Sequence, residues 1–146
     1  MGFLRGGQSM ITLNVQYCDS IIRHEGGFSY SLIGIYPCIY PLVTREGILP
    51  RINLCLTFHI PASRADLRHK TLRVEVFKEG EILSAIDMPP PLDDDPSMDG
   101  TAFNGVVHQC MENLPVANGE EMHAVLSSES EILAIGNKLK FICDSE

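Results

Sequence analysis

The feature that most constrains this chain is the run Arg51 to Ile60, in which Ile52, Leu54, Leu56 and Phe58 alternate with Asn53, Cys55, Thr57 and His59. A repeat of two puts each set on its own face of a pleated strand and cannot make the apolar stripe that a helix buries. Pro50 and Pro61 set the limits of this strand, because proline has no N–H for a ladder. The same period recurs in Thr12 to Cys18, where Leu13, Val15 and Tyr17 alternate with Asn14 and Gln16. No stretch carries a sustained helical period. Ser63 to Lys70 alone has helix-like composition, enough for one short helical turn.

Turn chemistry supplies the connections. Glu25-Gly26-Gly27 leads into a return strand over Phe28 to Tyr36, within which Gly34 marks a bulge or a close backbone approach. Cys38-Ile39-Tyr40 lies between Pro37 and Pro41 and is at most a short edge strand. Lys78-Glu79-Gly80 joins Thr71–Phe77 to Glu81–Met88 as a hairpin, and Asn118-Gly119 leads into a strand over Glu121 to Ser127. Thr101 to Met111 reads as a strand bent near Gly105. Gly136-Asn137 reads as the turn of a second hairpin, between Glu131–Ile135 and Lys138–Cys143. About eight short strands and at most one helical turn predict an all-β fold, an antiparallel two-sheet sandwich, with a barrel as the alternative.

The chain has 146 residues, 45% of them apolar, which fills one core without a metal or disulfides. We expect a disordered leader over residues 1–9 and a single domain over 10–146, with no signal peptide or membrane span. The 19 acidic and 11 basic side chains give a net charge of −8, which works against a phosphate backbone as partner, so nucleic acid is not expected. The 5 cysteines, Cys18, Cys38, Cys55, Cys110 and Cys143, are an odd set without a C-x-x-C pair. Buried, reduced thiols and a cytoplasmic location follow as expectations.

Cys18-Asp19, Arg23, Ser31-Leu32-Ile33-Gly34-Ile35-Tyr36, Leu49-Pro50-Arg51 and the hairpin from Thr71 to Leu83 resemble a family of small uncharacterised bacterial proteins. The resemblance covers about residues 10–88. It implies an immunoglobulin-like sandwich and transfers no activity and no catalytic residue.

Side chains with chemical potential are scattered. The 5 histidines, His24, His59, His69, His108 and His123, show no metal-ligand spacing, although His59, His108 and His123 fall in predicted strands. There is no nucleophile elbow, Walker loop or dinucleotide fingerprint, and His108 with Cys110 is only an i, i+2 pair, so no catalytic residue and no cofactor are expected. Asp95, Ser97, Asp99 and Gly100 match the start of a calcium loop, but Val106 stands where the bidentate Glu belongs. The loop from Pro89 to Gly100 therefore reads as a solvated acidic loop, with weak calcium binding, completed by Asp93 or Asp94, as the alternative.

Two groups remain as candidate sites. Phe28, Tyr30, Tyr36 and Tyr40, interleaved with serines and prolines, either pack in the sandwich or at its edge, or offer an interaction edge, since tyrosine joins apolar area to one polar tip. Arg64, Arg68, Lys70 and Arg73 offer a basic group, interrupted by Asp66 and Glu75. The expected function is a non-catalytic binding or adaptor module that holds another protein or a second copy of itself, as a homo-oligomer. The alternatives are a protein that binds or sequesters an anionic metabolite or nucleotide through the basic group, and an enzyme whose site is assembled from distant strands.

Overall fold

A computed structural model describes residues 10–26, 29–91, 98–99 and 102–144, with only the backbone of Met98 and Asp99 considered. The expected leader, Phe28, and the calcium alternative on Asp95, Ser97 and Asp99 lie outside what is described. Eleven strand segments follow one another: β1 Thr12–Arg23, β2 Tyr30–Tyr36, β3 Ile39–Leu42, β4 Glu46–Ile60, β5 Leu72–Lys78, β6 Glu81–Met88, β7 Met98–Asp99, β8 Ala102–Ala117, β9 Glu121–Ser128, β10 Glu131–Ile135 and β11 Leu139–Cys143. They form two sheets packed face to face, the all-β sandwich that the period of two requires. The first sheet has the order β2-β1-β4-β8-β7. The second has the order β3-β11-β9-β5-β6, and β10 also pairs with β9.

Every pairing is antiparallel except one. β3 lies parallel to β11, with Phe141 opposite Tyr40 and Cys143 opposite Leu42, so the second sheet is mixed. Between the sheets lie Leu13, Val15 and Tyr17 of β1, Ile52, Leu54, Leu56 and Phe58 of β4, Val74 and Val76 of β5, Met122, Ala124 and Leu126 of β9, and Leu139 and Phe141 of β11. Each contribution alternates along its strand, as the sequence period demands. The expected helical turn is a kinked 3-10 segment, Ala62–His69, and it buries Leu67 completely.

The structure changes three expectations. β4 runs through Pro50 instead of starting there, starting at Glu46. The ladder with β8 pairs Leu49 with Leu114 and Arg51 with Glu112, so Pro50 lies opposite Asn113, whose φ of 53° takes its backbone out of regular strand geometry. A proline is accommodated where its partner is irregular. Second, β8 keeps register through Gly105, with Thr57, Phe58 and His59 opposite Val106, Gly105 and Asn104. Gly105 is there for space, because a Cβ would overlap the Phe58 ring.

Third, the hairpin expected at Gly136-Asn137 does not form. β9 turns at Glu129 and Ser130, with φ of 48° and 75°, into β10, and β10 and β11 then lie in succession beside β9. Gly136 and Asn137 are the break between them, and they serve the other sheet. A Cβ on Gly136 would come within 2.7 Å of a Val15 methyl. The Asn137 side chain takes the place of a strand partner: Nδ2 donates to the Val15 carbonyl and Oδ1 accepts from the Val15 N–H, both at 2.8 Å. The Tyr17 hydroxyl donates to the Asn137 carbonyl at 2.8 Å. At Val15, beyond the end of the β1–β2 ladder, the open side of β1 is thereby met by a side-chain amide rather than by a strand.

Candidate functional site

At one corner the chain passes from the first sheet to the second, between β2 and β3, and both strands are the open edges of their sheets. Gly34 starts the construction. Its φ is +71°, and a Cβ would overlap the Asp19 carboxylate, so glycine alone leaves Asp19 in place. Asp19 Oδ1 accepts the Tyr36 hydroxyl at 2.7 Å. Burial, followed by this hydrogen bond and neighbouring Tyr40, pushes the Tyr36 phenol up, so it stays a neutral donor. The Tyr36 and Tyr40 rings lie 4.5 Å apart, and Tyr40 packs on Phe141 at 5.8 Å. Tyr36 and Tyr40 thus pack together at the corner.

Tyr30 belongs elsewhere. Its ring meets His108 edge-on at 4.8 Å on the opposite parity of β8, and its hydroxyl is hydrogen-bonded with Cys55. Cys18 and Cys55 are fully buried there, and burial first, then Cys55 and Asp19, pushes the Cys18 thiol up to about 11. His108 has a buried Nε2 without a hydrogen-bond partner among the described residues. Burial, and secondly Arg23, hold its pKa below 6.5. Since the folded value is lowered, the neutral ring favours folding above the unfolded pKa of 6.5, and that contribution is lost as pH falls through the folded value. We expect urea unfolding to show a steeper loss of stability below pH 6.5 in the wild type than in His108→Phe; parallel curves would refute the assignment.

β3 is the edge strand of the second sheet. Lys140 N–H donates to the Cys38 carbonyl at 2.9 Å, which sets the parallel ladder so that Tyr40 and Leu42 turn their polar groups to β11. Ile39 and Pro41 point theirs outward, and Pro41 has none to donate. The edge therefore offers mainly acceptors.

Beside it lies a hollow of ≈ 220 Å³ between the β3–β4 bend and the first half of β4, lined by Tyr40, Leu42, Val43, Ile48, Leu49 and Pro50 among others. Val43 is 91% exposed and Ile48 66%, unusual values for aliphatic side chains beside a concavity. The hollow shares Gly47, Ile48 and Val116 with a second cleft of ≈ 470 Å³ that also takes in Glu46, Lys78, Pro115, Ala117 and Glu120. The two adjoin along these residues, and we refer to them together as the trough.

The turn Ala117–Glu121 fixes its far end. Asn118 N–H donates to the Arg45 carbonyl at 2.7 Å, and Gly119 N–H to the Phe141 carbonyl at 2.7 Å. Asn118 Oδ1 accepts the Cys143 N–H at 2.7 Å. Glu120 Oε1 accepts both the Ala117 N–H at 2.8 Å and Lys78 Nζ at 2.9 Å. Lys78 is only 8% exposed, so its charge is committed to Glu120. Glu46 has no ion pair among the described residues, and the trough carries an unbalanced negative charge.

The basic group of the sequence is not a free patch. Arg64 is paired with Asp66 at 3.1 Å and Glu131 at 3.2 Å, Lys70 with Glu129 at 3.5 Å, and Arg73 with Asp87 at 3.1 Å and Glu75 at 3.3 Å. Arg68 is half-buried on the 3-10 segment. Asp66 and Glu75 are visible as neighbours in sequence, whereas Glu129, Glu131 and Asp87 arrive from other strands. The histidines do not converge: His59 bonds Asn104 at 2.8 Å on the first sheet, while His123 stacks on Phe77 at 5.4 Å on the second. No cluster of three metal-ligating side chains exists among the described residues. Cys18, Cys55 and Cys143 are buried and in no disulfide, but Cys38 and Cys110 are exposed, contrary to the expectation for all 5. Their strands place these two outside the core: Cys38 follows Pro37 at the corner, and Cys110 lies opposite Asn53 on the outward parity of the first sheet. No described helix is long and apolar enough to cross a membrane. Comparison of the chain with family models, with curated proteins and with solved structures finds no match to any of them.

Proposed function

We propose that the chain is a non-catalytic binding module that receives an extended segment of a partner protein along β3 and the adjoining trough. The observation that carries this reading is the continuity of an open sheet edge with a rigid, partly apolar concavity. An edge strand supplies main-chain hydrogen bonds to an added strand, and pockets beside it select alternate side chains. The exposed Val43 and Ile48 give that contact apolar area, and the hub at Ala117–Glu121 holds the far wall in place, so little ordering is needed on binding.

Val43→Asp combined with Ile48→Asp tests the reading, because both side chains are exposed and their loss should change folding stability by less than about 0.5 kcal/mol. Chemical cross-linking in native lysate, followed by recovery of the tagged chain, should yield partner proteins with the wild type that the double variant fails to hold. Light scattering run in parallel reports self-association. The same recovered set from both proteins, with a monomer in both, would overturn the proposal.

A further inference from the structure

The trough is asymmetric in a way that specifies its occupant. Its hollow is lined mainly by aliphatic side chains, proline and the Tyr40 ring, with Thr44 as a neutral polar side chain and no ionisable group apart from the phenol. Its cleft contains three charged groups, of which Lys78 and Glu120 neutralise each other and Glu46 is left over. The two parts share Gly47, Ile48 and Val116, so they are neighbours along the same wall. Side chains at i and i+2 of an extended segment lie on one face, about 7 Å apart. One such pair can enter the two parts together.

We infer that the segment recognised here is one with an aliphatic side chain in the hollow and a lysine or arginine two residues away, over the cleft beside Glu46. The inference rests on the proposal that β3 and the trough bind an extended partner, and it adds the sign of the partner's charge. A second copy of this chain is a poor occupant, since it brings a net charge of −8 to a face that is already negative. Lys78 is the one cation among the residues lining the cleft, and its commitment to Glu120 withdraws it from an acidic segment.

Two blocked nonapeptides test this on isotopically labelled, full-length protein by NMR titration. Both alternate threonine with valine; one carries lysine two residues after its central valine, the other glutamate. The lysine peptide should shift the amides of Ile39, Val43, Glu46, Gly47 and Ile48 and bind at least about threefold more tightly than the glutamate peptide at low salt. At 0.5 M salt the preference should shrink towards unity, because screening removes exposed charge contacts. Glu46→Lys should reverse the order of the two peptides while leaving the melting temperature unchanged.

Equal binding of both peptides, at the same amides, would overturn the charge assignment and leave the strand-edge reading standing. Binding of neither would overturn both. A dimer by light scattering that Val43→Asp dissolves would overturn the inference in favour of a second copy.

Discussion

Asn137→Ala is expected to lower the stability of the domain by about 3 kcal/mol, read as a shift of the urea midpoint and a fall in Tm of roughly 10 °C. The cause is specific. Among the described residues, Asn137 makes the one hydrogen-bonded contact that the N–H and carbonyl of Val15 have on that side of β1, and Val15 is 3% exposed, so water does not replace the lost amide. Each buried backbone group left without a partner costs about 1–3 kcal/mol. Asn137→Asp should be as harmful, since the carboxylate lacks the donor and places a charge against the Val15 carbonyl. Tyr17→Phe removes the hydroxyl that holds the Asn137 carbonyl at 2.8 Å and should cost about 1 kcal/mol. Because the two share one junction, the double variant should lose less than the sum. A loss below about 0.5 kcal/mol for Asn137→Ala would show that the edge is not closed as described.

The second large effect is expected at Gly105. A methyl group there would overlap the Phe58 ring, which stands directly opposite on β4 and packs edge-on with Phe103 at 6.4 Å. β4 and β8 pair along nearly their full lengths at the centre of the first sheet, so the backbone has little freedom to move aside. Gly105→Ala should therefore cost about 3 kcal/mol through overpacking. Phe58→Ala alone should cost about 3–5 kcal/mol through the cavity it leaves. In that background the added methyl meets empty space, and Gly105→Ala should then be close to neutral. A double-mutant cycle with a coupling energy under about 0.5 kcal/mol would show that Gly105 is not needed for room.

These two sites also show where sequence reasoning reaches its limit. The strand at Ile52, Leu54, Leu56 and Phe58 is legible because alternation and burial coincide there. The hairpin at Glu79-Gly80 is legible because its positive φ values, 50° and 81°, include the glycine that turn chemistry favours. At the end of the chain the same rule misleads. The true turn is built from Glu129 and Ser130, neither of which advertises positive φ, whereas Gly136-Asn137 looks like a turn and is a contact with β1. A glycine needed for space and a glycine needed for a turn are identical in sequence.

The same holds for the site. Pro37 and Pro41 mark β3 as an edge, because that property is local. The trough is assembled from residues 40–50, from Lys78 and from residues 115–120, and no local pattern connects these segments. Likewise the basic group between Arg64 and Arg73 shows only Asp66 and Glu75 against it along the chain, and Glu129, Glu131 and Asp87 are brought to it by strand pairing.

The amide latch on β1 has a consequence for how a ribosome must deliver this protein. Val15 emerges 122 residues before its partner, and at 5–20 residues per second it waits roughly 6 to 25 s. Throughout that interval the nascent chain presents an unsealed strand border, the kind of surface that seeds aggregation or recruits a chaperone. Sealing of this border thus waits for the arrival of the segment around Asn137 rather than following the gradual growth of the interior.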